Sequence, residues 1–153
     1  GSRRFYADPE WRKTYQFLPE EIKLNWQKGS LNLSTKNITQ NDMTFDKWSL
    51  NLVNIMNLEG VKIIAGTDTP IGYLTPGFSL HKELELLSEA GMTNKEVLHS
   101  ATIAPAEFLN IQNEIGTIEE GKLADLVILN QNPLESIKNT QDIYLVIAKG
   151  IVQ

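Results

Sequence analysis

The stretch Val61-Lys-Ile-Ile-Ala-Gly-Thr-Asp-Thr-Pro70 decides how the rest of the chain is read. Its first five residues are apolar apart from Lys62, three of them β-branched, and Gly66 stops the run abruptly. A short, nearly continuous apolar run of this kind predicts a parallel strand buried on both faces. An acid, Asp68, follows at once. In α/β proteins reactive groups sit at the carboxyl ends of strands, where the loops leave the sheet and face an open crevice. A carboxylate in that place can bind a cation or accept a proton. The local sequence alone also allows a plain turn residue, because an Asp side chain readily bonds nearby backbone.

Upstream of this strand the spacing predicts a long helix. Asn41 or Asp42 can cap it, and Phe45, Trp48, Leu52, Ile55, Met56 and Glu59 recur every three or four residues, so one face is apolar down to Leu58. Gly60 then stops it. An earlier helix opens at Pro19-Glu20-Glu21 and ends near Gly29. The Ser-, Thr- and Asn-rich stretch 30–40 reads as loop. Phe5, Tyr6, Trp11 and Tyr15 are expected to anchor the N-terminal segment to a core rather than to line a pocket.

Downstream, residues 66–77 form a Gly- and Pro-rich loop. A helix over 78–90 carries Leu80, Leu84 and Leu87 on one side. Thr93-Asn-Lys-Glu96 has the spacing of a capping box opening a helix through His99. Pro105 opens a short helix through Leu109. After Gln112 the character changes: residues 116–121 form a tight turn, 126–129 and 143–148 read as strands, and Ile151-Val152 begin a third. The expected division is therefore 1–112 and 113–153.

Composition narrows the function. A chain of 153 residues can bury a sizeable core, and the net charge of −5 argues against a nucleic-acid partner. No apolar stretch approaches the ~20 residues that cross a bilayer as a helix. The absence of cysteine excludes disulfides, thiolate metal sites and cysteine nucleophiles. Only two histidines are present, His81 and His99, and neither H-x-H nor H-E-x-x-H occurs. A catalytic zinc site takes three protein ligands as a rule, so the chain alone is not expected to hold a complete one. Gly1-Ser2 reads as the remnant of a removed tag, which places the natural N-terminus and any leader outside this sequence and leaves the compartment open.

Several motifs occur in a fixed order: Gly66-Thr-Asp68, Leu80-His-Lys-Glu-Leu84, Glu89-Ala-Gly-Met-Thr93, Ala101-Thr-Ile-Ala-Pro-Ala106, Gly116-Thr-Ile-Glu-Glu-Gly-Lys-Leu-Ala-Asp-Leu126 and Asn132-Pro133. Together they resemble the C-terminal third of the metal-dependent amidohydrolase superfamily, in its imidazolonepropionase-like and prolidase-like branch. The resemblance implies an α/β fold: the C-terminal part of a (β/α)8 TIM barrel through residue 112, then strands of a small composite β-sandwich over 113–153. Residues 61–65 would be the eighth barrel strand and Asp68 its terminal acid, a metal ligand and proton carrier in hydrolysis of C–N bonds in amides, cyclic amides or dipeptides. The cofactor implied is a divalent metal, zinc in the complete enzyme, with none held by this chain alone. The partners implied are a small-molecule substrate and either the rest of the parent chain or a second copy, with no nucleic acid and no membrane.

The remaining candidates divide as follows. His81, early in its helix and close in sequence to the Asp68 loop, either contacts substrate or packs under the loop as a backbone-bonded residue. Tyr73 would border a substrate pocket. His99 and Asp125 read as structural, and Thr67 and Thr69 as hydrogen-bonding supports. A non-catalytic association or folding module derived from an amidohydrolase is the alternative function.

Overall fold

The structure, a computed structural model, describes residues 9–30, 39–69 and 74–153. Phe5, Tyr6 and Tyr73 lie outside them. The described chain is mixed helix and sheet and divides into two compact units, residues 1–49 with 67–80 and residues 50–66 with 81–153. In chain order the elements are α1 (Pro9–Lys13), a 3₁₀ turn (Thr14–Phe17), α2 (Glu20–Ser30), α3 (Gln40–Leu58), α4 (Phe78–Glu89), α5 (Asn94–Ala101), α6 (Ile103–Phe108), β1 (Leu126–Leu129), a second 3₁₀ turn (Ile137–Gln141), β2 (Ile143–Ala148) and β3 (Ile151–Val152).

In the first unit Trp11 and Leu18 are buried, so the aromatic segment does anchor itself at Trp11. Thr14 Oγ1 donates to the Trp11 carbonyl at 2.7 Å and shares a 2.8 Å hydrogen bond with the buried Thr75 hydroxyl. The Thr75 carbonyl in turn accepts from the Ser79 backbone and hydroxyl. Phe17 stacks on Phe78, and Tyr15 meets Trp26 edge-on, both with ring centroids 5.3 Å apart. The N-terminus of α3 is capped two or three residues earlier than expected. Thr39, not Asn41 or Asp42, is the cap: its Oγ1 accepts from the Asp42 N–H while the Asp42 carboxylate accepts from the Thr39 N–H at 3.0 Å. Asp42 takes the place that Glu fills in the usual capping box.

The second unit centres on Leu84, Leu87, Met92, Val97 and Ile137, with Val53, Ile63, Ala65, Leu98 and Ala101 packed around them. α5 starts with the expected box, Thr93 Oγ1 accepting from Glu96 N–H and the Glu96 carboxylate from Thr93 N–H. The tail folds into an antiparallel three-stranded sheet in the order β1-β2-β3, with Val127 opposite Val146 and Ala148 opposite Ile151. The register shifts between Ile128 and Leu129, where β2 carries one extra residue, Tyr144. Lys149 and Gly150, both at positive φ, turn β2 into β3, which is the backbone a two-residue hairpin prefers. Asp125 accepts the Lys149 N–H at 2.6 Å. Gly116, at φ +98°, lies where an added Cβ would stand 3.0 Å from Ala106 Cβ and 3.2 Å from the Thr102 carbonyl. The turn motif thus needs glycine both for its backbone and for its contact with α6.

The expectation of a strand at 61–65 is corrected. Residues 61–65 belong to no strand. Their exposure alternates, Ile63 and Ala65 packing on the core while Lys62 and Ile64 face out, the period of an extended segment covered on one side. A strand needs a neighbour for its backbone groups, and the described residues offer none here. The apolar face of α3 is also turned outward: Phe45 is 60% and Trp48 55% exposed. A mixed side faces in instead, with Val53 on the core, Asn54 against Gly91 and Asn57 bonded to the Glu96 carboxylate. Likewise Leu80 stays exposed while Leu84 and Leu87 are buried.

Substituting Thr93→Ala should lower stability by about 1 kcal/mol through loss of the cap. Gly116→Ala should lower it by roughly 1–3 kcal/mol because the backbone is strained for any other residue. Urea denaturation of each variant against the parent chain measures both.

Candidate functional site

Asp68 follows the extended segment as expected, and its backbone is unusual. It sits at φ +59°, a left-handed conformation that costs most L residues energy and that Asp tolerates better than most. Among the described residues the other two such positions have structural reasons: Asn110 follows α6 and Lys149 makes the hairpin turn. Asp68 belongs to neither a helix nor a hairpin. Its neighbours close the turn beneath it. The Thr67 and Thr69 hydroxyls bond one another, and Thr69 N–H donates to Thr67 Oγ1 at 3.3 Å. Both threonines are half-buried and Asp68 between them is exposed. Strained backbone held by its surroundings clusters at functional sites, and here it presents one carboxylate to the outside.

The end of the preceding segment is fixed by helices. Ala65 N–H donates to the buried Ser100 carbonyl region of α5 at 2.9 Å, and the Glu83 carboxylate on α4 accepts the Gly66 N–H. Burial pushes the Glu83 carboxyl above its ordinary range, and that one N–H only partly offsets the effect.

His81 lies in the second unit, on α4. Its Nδ1 is 3.0 Å from Thr140 Oγ1, so the ring is tied to the second 3₁₀ turn, 59 positions along the chain. Burial lowers its pKa, against a smaller upward pull from the Glu85 carboxylate. His99 is exposed in the last turn of α5. Of the sequence candidates, Asp68 falls in the first unit and His81 in the second, and Tyr73 is outside the described residues. Sequence reasoning passed over Glu83 and Thr140. Glu83 had a signal, a carboxylate inside the Leu80–Leu84 motif on a half-buried helix. Thr140 had none, because its partner is far away in sequence.

Among the described residues no three His, Asp or Glu side chains gather as a metal site would require. Asp68 can therefore serve as one ligand or one proton acceptor. It does not make a closed site on its own, and a resident metal would need donors from elsewhere.

Residues 17–152 match the family model described as "Amidohydrolase family". The chain is 43% identical over 54 residues to a 5'-deoxyadenosine deaminase of Methanobrevibacter smithii, covering 35% of this chain and 12% of that protein. It is 35% identical over 78 residues to an imidazolonepropionase of Bdellovibrio bacteriovorus, covering 48% of this chain and 17% of the relative. Among solved structures, a Xaa-Pro dipeptidase with methionine bound in its active site superposes with a TM-score of 0.62 at 33% identity, over 68% of this chain and 25% of that one. The chain thus spans about a quarter of the solved relative's length and less than a fifth of these curated ones.

The His81 shift makes stability depend on pH. The folded state prefers the neutral ring, so the unfolded chain takes up the proton first as pH falls below about 6.5. Stability should be full above that pH and decline as pH drops toward the lower folded value. His81→Gln should remove that part of the decline, measured by urea unfolding at several pH values.

Proposed function

Because the chain belongs to the amidohydrolase family, we propose that it is the C-terminal part of a metal-dependent hydrolase that cleaves C–N bonds in amides, cyclic amides or dipeptides. The observation that carries this reading is Asp68, an exposed carboxylate in left-handed backbone directly after an apolar segment that ends at Gly66. The relatives named above, a deaminase, an imidazolonepropionase and a Xaa-Pro dipeptidase, support the reaction class. The solved relative supports a barrel, in which residues 61–65 form a strand with neighbours contributed by the rest of the polypeptide.

A divalent metal, zinc in this reading, would supply Lewis-acid activation of water when bound. Asp68 is the residue of this chain that would hold it, and its free oxygen is the natural acceptor for a proton. The Thr67–Thr69 hydroxyl pair keeps the turn closed under that carboxylate. Gly66 N–H, held by Glu83, and Ala65 N–H, held by Ser100, fix the backbone from which the turn starts. His81 and Tyr73 are candidate substrate contacts. This chain by itself is expected to be inactive.

The exposed apolar side of α3 favours a second reading, a module that associates through that face with a second copy or with the remainder of the parent chain. Native mass measurement separates the two occupants, and a stable monomer argues against self-association.

The test is made on the longer polypeptide that carries this segment. It should contain an H-x-H pair a few hundred residues before Asp68 and bind metal. Asp68→Asn should lower its turnover of an amide or dipeptide by about 10²–10⁴-fold, the usual worth of a positioned acid or base. Stoichiometric zinc on the isolated 153-residue chain, or an Asp68→Asn enzyme of unchanged rate, contradicts the proposal.

A further inference from the structure

The His81 ring is held by a hydroxyl that has one proton to give. Thr140 Oγ1 lies 2.8 Å from the Ile137 carbonyl oxygen and 3.0 Å from His81 Nδ1. A carbonyl can only accept, so the Thr140 O–H is directed at Ile137. What Thr140 then offers the ring is a lone pair, and Nδ1 must carry the hydrogen that reaches it. A neutral imidazole has one ring proton. With that proton on Nδ1, Nε2 keeps a bare lone pair.

The reverse assignment is costly. Were Thr140 to donate to Nδ1, its oxygen and the Ile137 oxygen would face each other at 2.8 Å with no hydrogen between them. Thr140 and Ile137 are both buried, where two oxygens facing each other without a hydrogen between them repel most strongly. No hydrogen bond among the described residues engages Nε2. The pattern, a ring N–H tied to a relay that ends on a backbone carbonyl, is the way proteins fix a tautomer so that the other nitrogen can act.

We propose that His81 is locked as the Nδ1–H tautomer and that its Nε2 is a specificity-determining hydrogen-bond acceptor, which takes a donor group such as an amide N–H, an ammonium or a hydroxyl and disfavours carboxylates. The donor's identity as part of a substrate rests on the hydrolase reading above. The tautomer does not. Burial of the ring acts in the same direction, keeping it neutral near neutral pH.

The experiment uses the ¹⁵N-labelled chain without metal. Long-range proton–nitrogen correlation on the slightly basic side of neutrality reports the protonation of each ring nitrogen of His81. The expected spectrum shows Nδ1 protonated and Nε2 unprotonated. Thr140→Val, which keeps the methyl in the core and removes the hydroxyl, should shift the population to the Nε2–H form, and Thr140→Ser should retain the native one. If Thr140→Val does not fold, the parent and Thr140→Ser spectra still decide. N-methylacetamide and sodium acetate, titrated at equal ionic strength, then probe the acceptor: Nε2 should respond to the amide and not to acetate. A protonated Nε2 in the parent chain, or a response to acetate alone or to neither probe, overturns the proposal. None of these readouts involves Asp68, so a wrong hydrolase assignment and a wrong tautomer fail separately.

Discussion

A strand's backbone groups must find partners, and for residues 61–66 that requirement shapes the structure around them. Only the two ends of the segment are served. Val61 N–H reaches back to the Met56 carbonyl at 2.9 Å, Ala65 N–H donates to the Ser100 carbonyl at 2.9 Å, and Gly66 N–H meets Glu83. Between them, Lys62, Ile63 and Ile64 have no backbone partner among the described residues. A sequence suited to burial on both faces therefore sits on its own helices with one face and leaves Ile64 outward. The outward stripe of α3, Phe45, Trp48, Leu52 and Ile55, is apolar surface of the same kind. Such surface is costly to leave in water, at about 25 cal/mol for each Å².

The turn that follows is held locally and does not depend on a sheet. Thr67 and Thr69 bond each other across it, and this leaves Asp68 exposed in a backbone conformation that needs support. The chain therefore presents its carboxylate even though the segment before it is unpaired. Within the second unit, Glu83 is a half-buried acid whose carboxylate accepts the Gly66 N–H, and burial holds its carboxyl above the ordinary range.

Much of the fold was legible from local signals. The Thr93–Glu96 box, the helices carrying Leu84 and Leu87, the turn at Gly116 and the strands at 126–129 and 143–148 all rest on interactions within a few residues or within one hairpin. Three features were not legible, each for a non-local reason. Strand pairing at 61–65 depends on a neighbour that apolar patterning cannot supply. The orientation of α3 depends on which of its sides finds partners, and Asn54 and Asn57 found them at Gly91 and Glu96. His81 was narrowed to two roles by position, but its partner, Thr140, could be found only in the folded chain. The cap at Thr39 was missed because Asp stands where Glu marks the usual pattern.

Amide hydrogen exchange along residues 61–66 tests most directly whether this segment is a strand waiting for its neighbours. In the isolated chain, Ala65 should be protected by its bond to Ser100 while Lys62, Ile63 and Ile64 exchange at nearly the unfolded rate. In the longer polypeptide all of them should be protected. Slow exchange of Lys62, Ile63 and Ile64 in a monomer of the isolated chain would contradict the account.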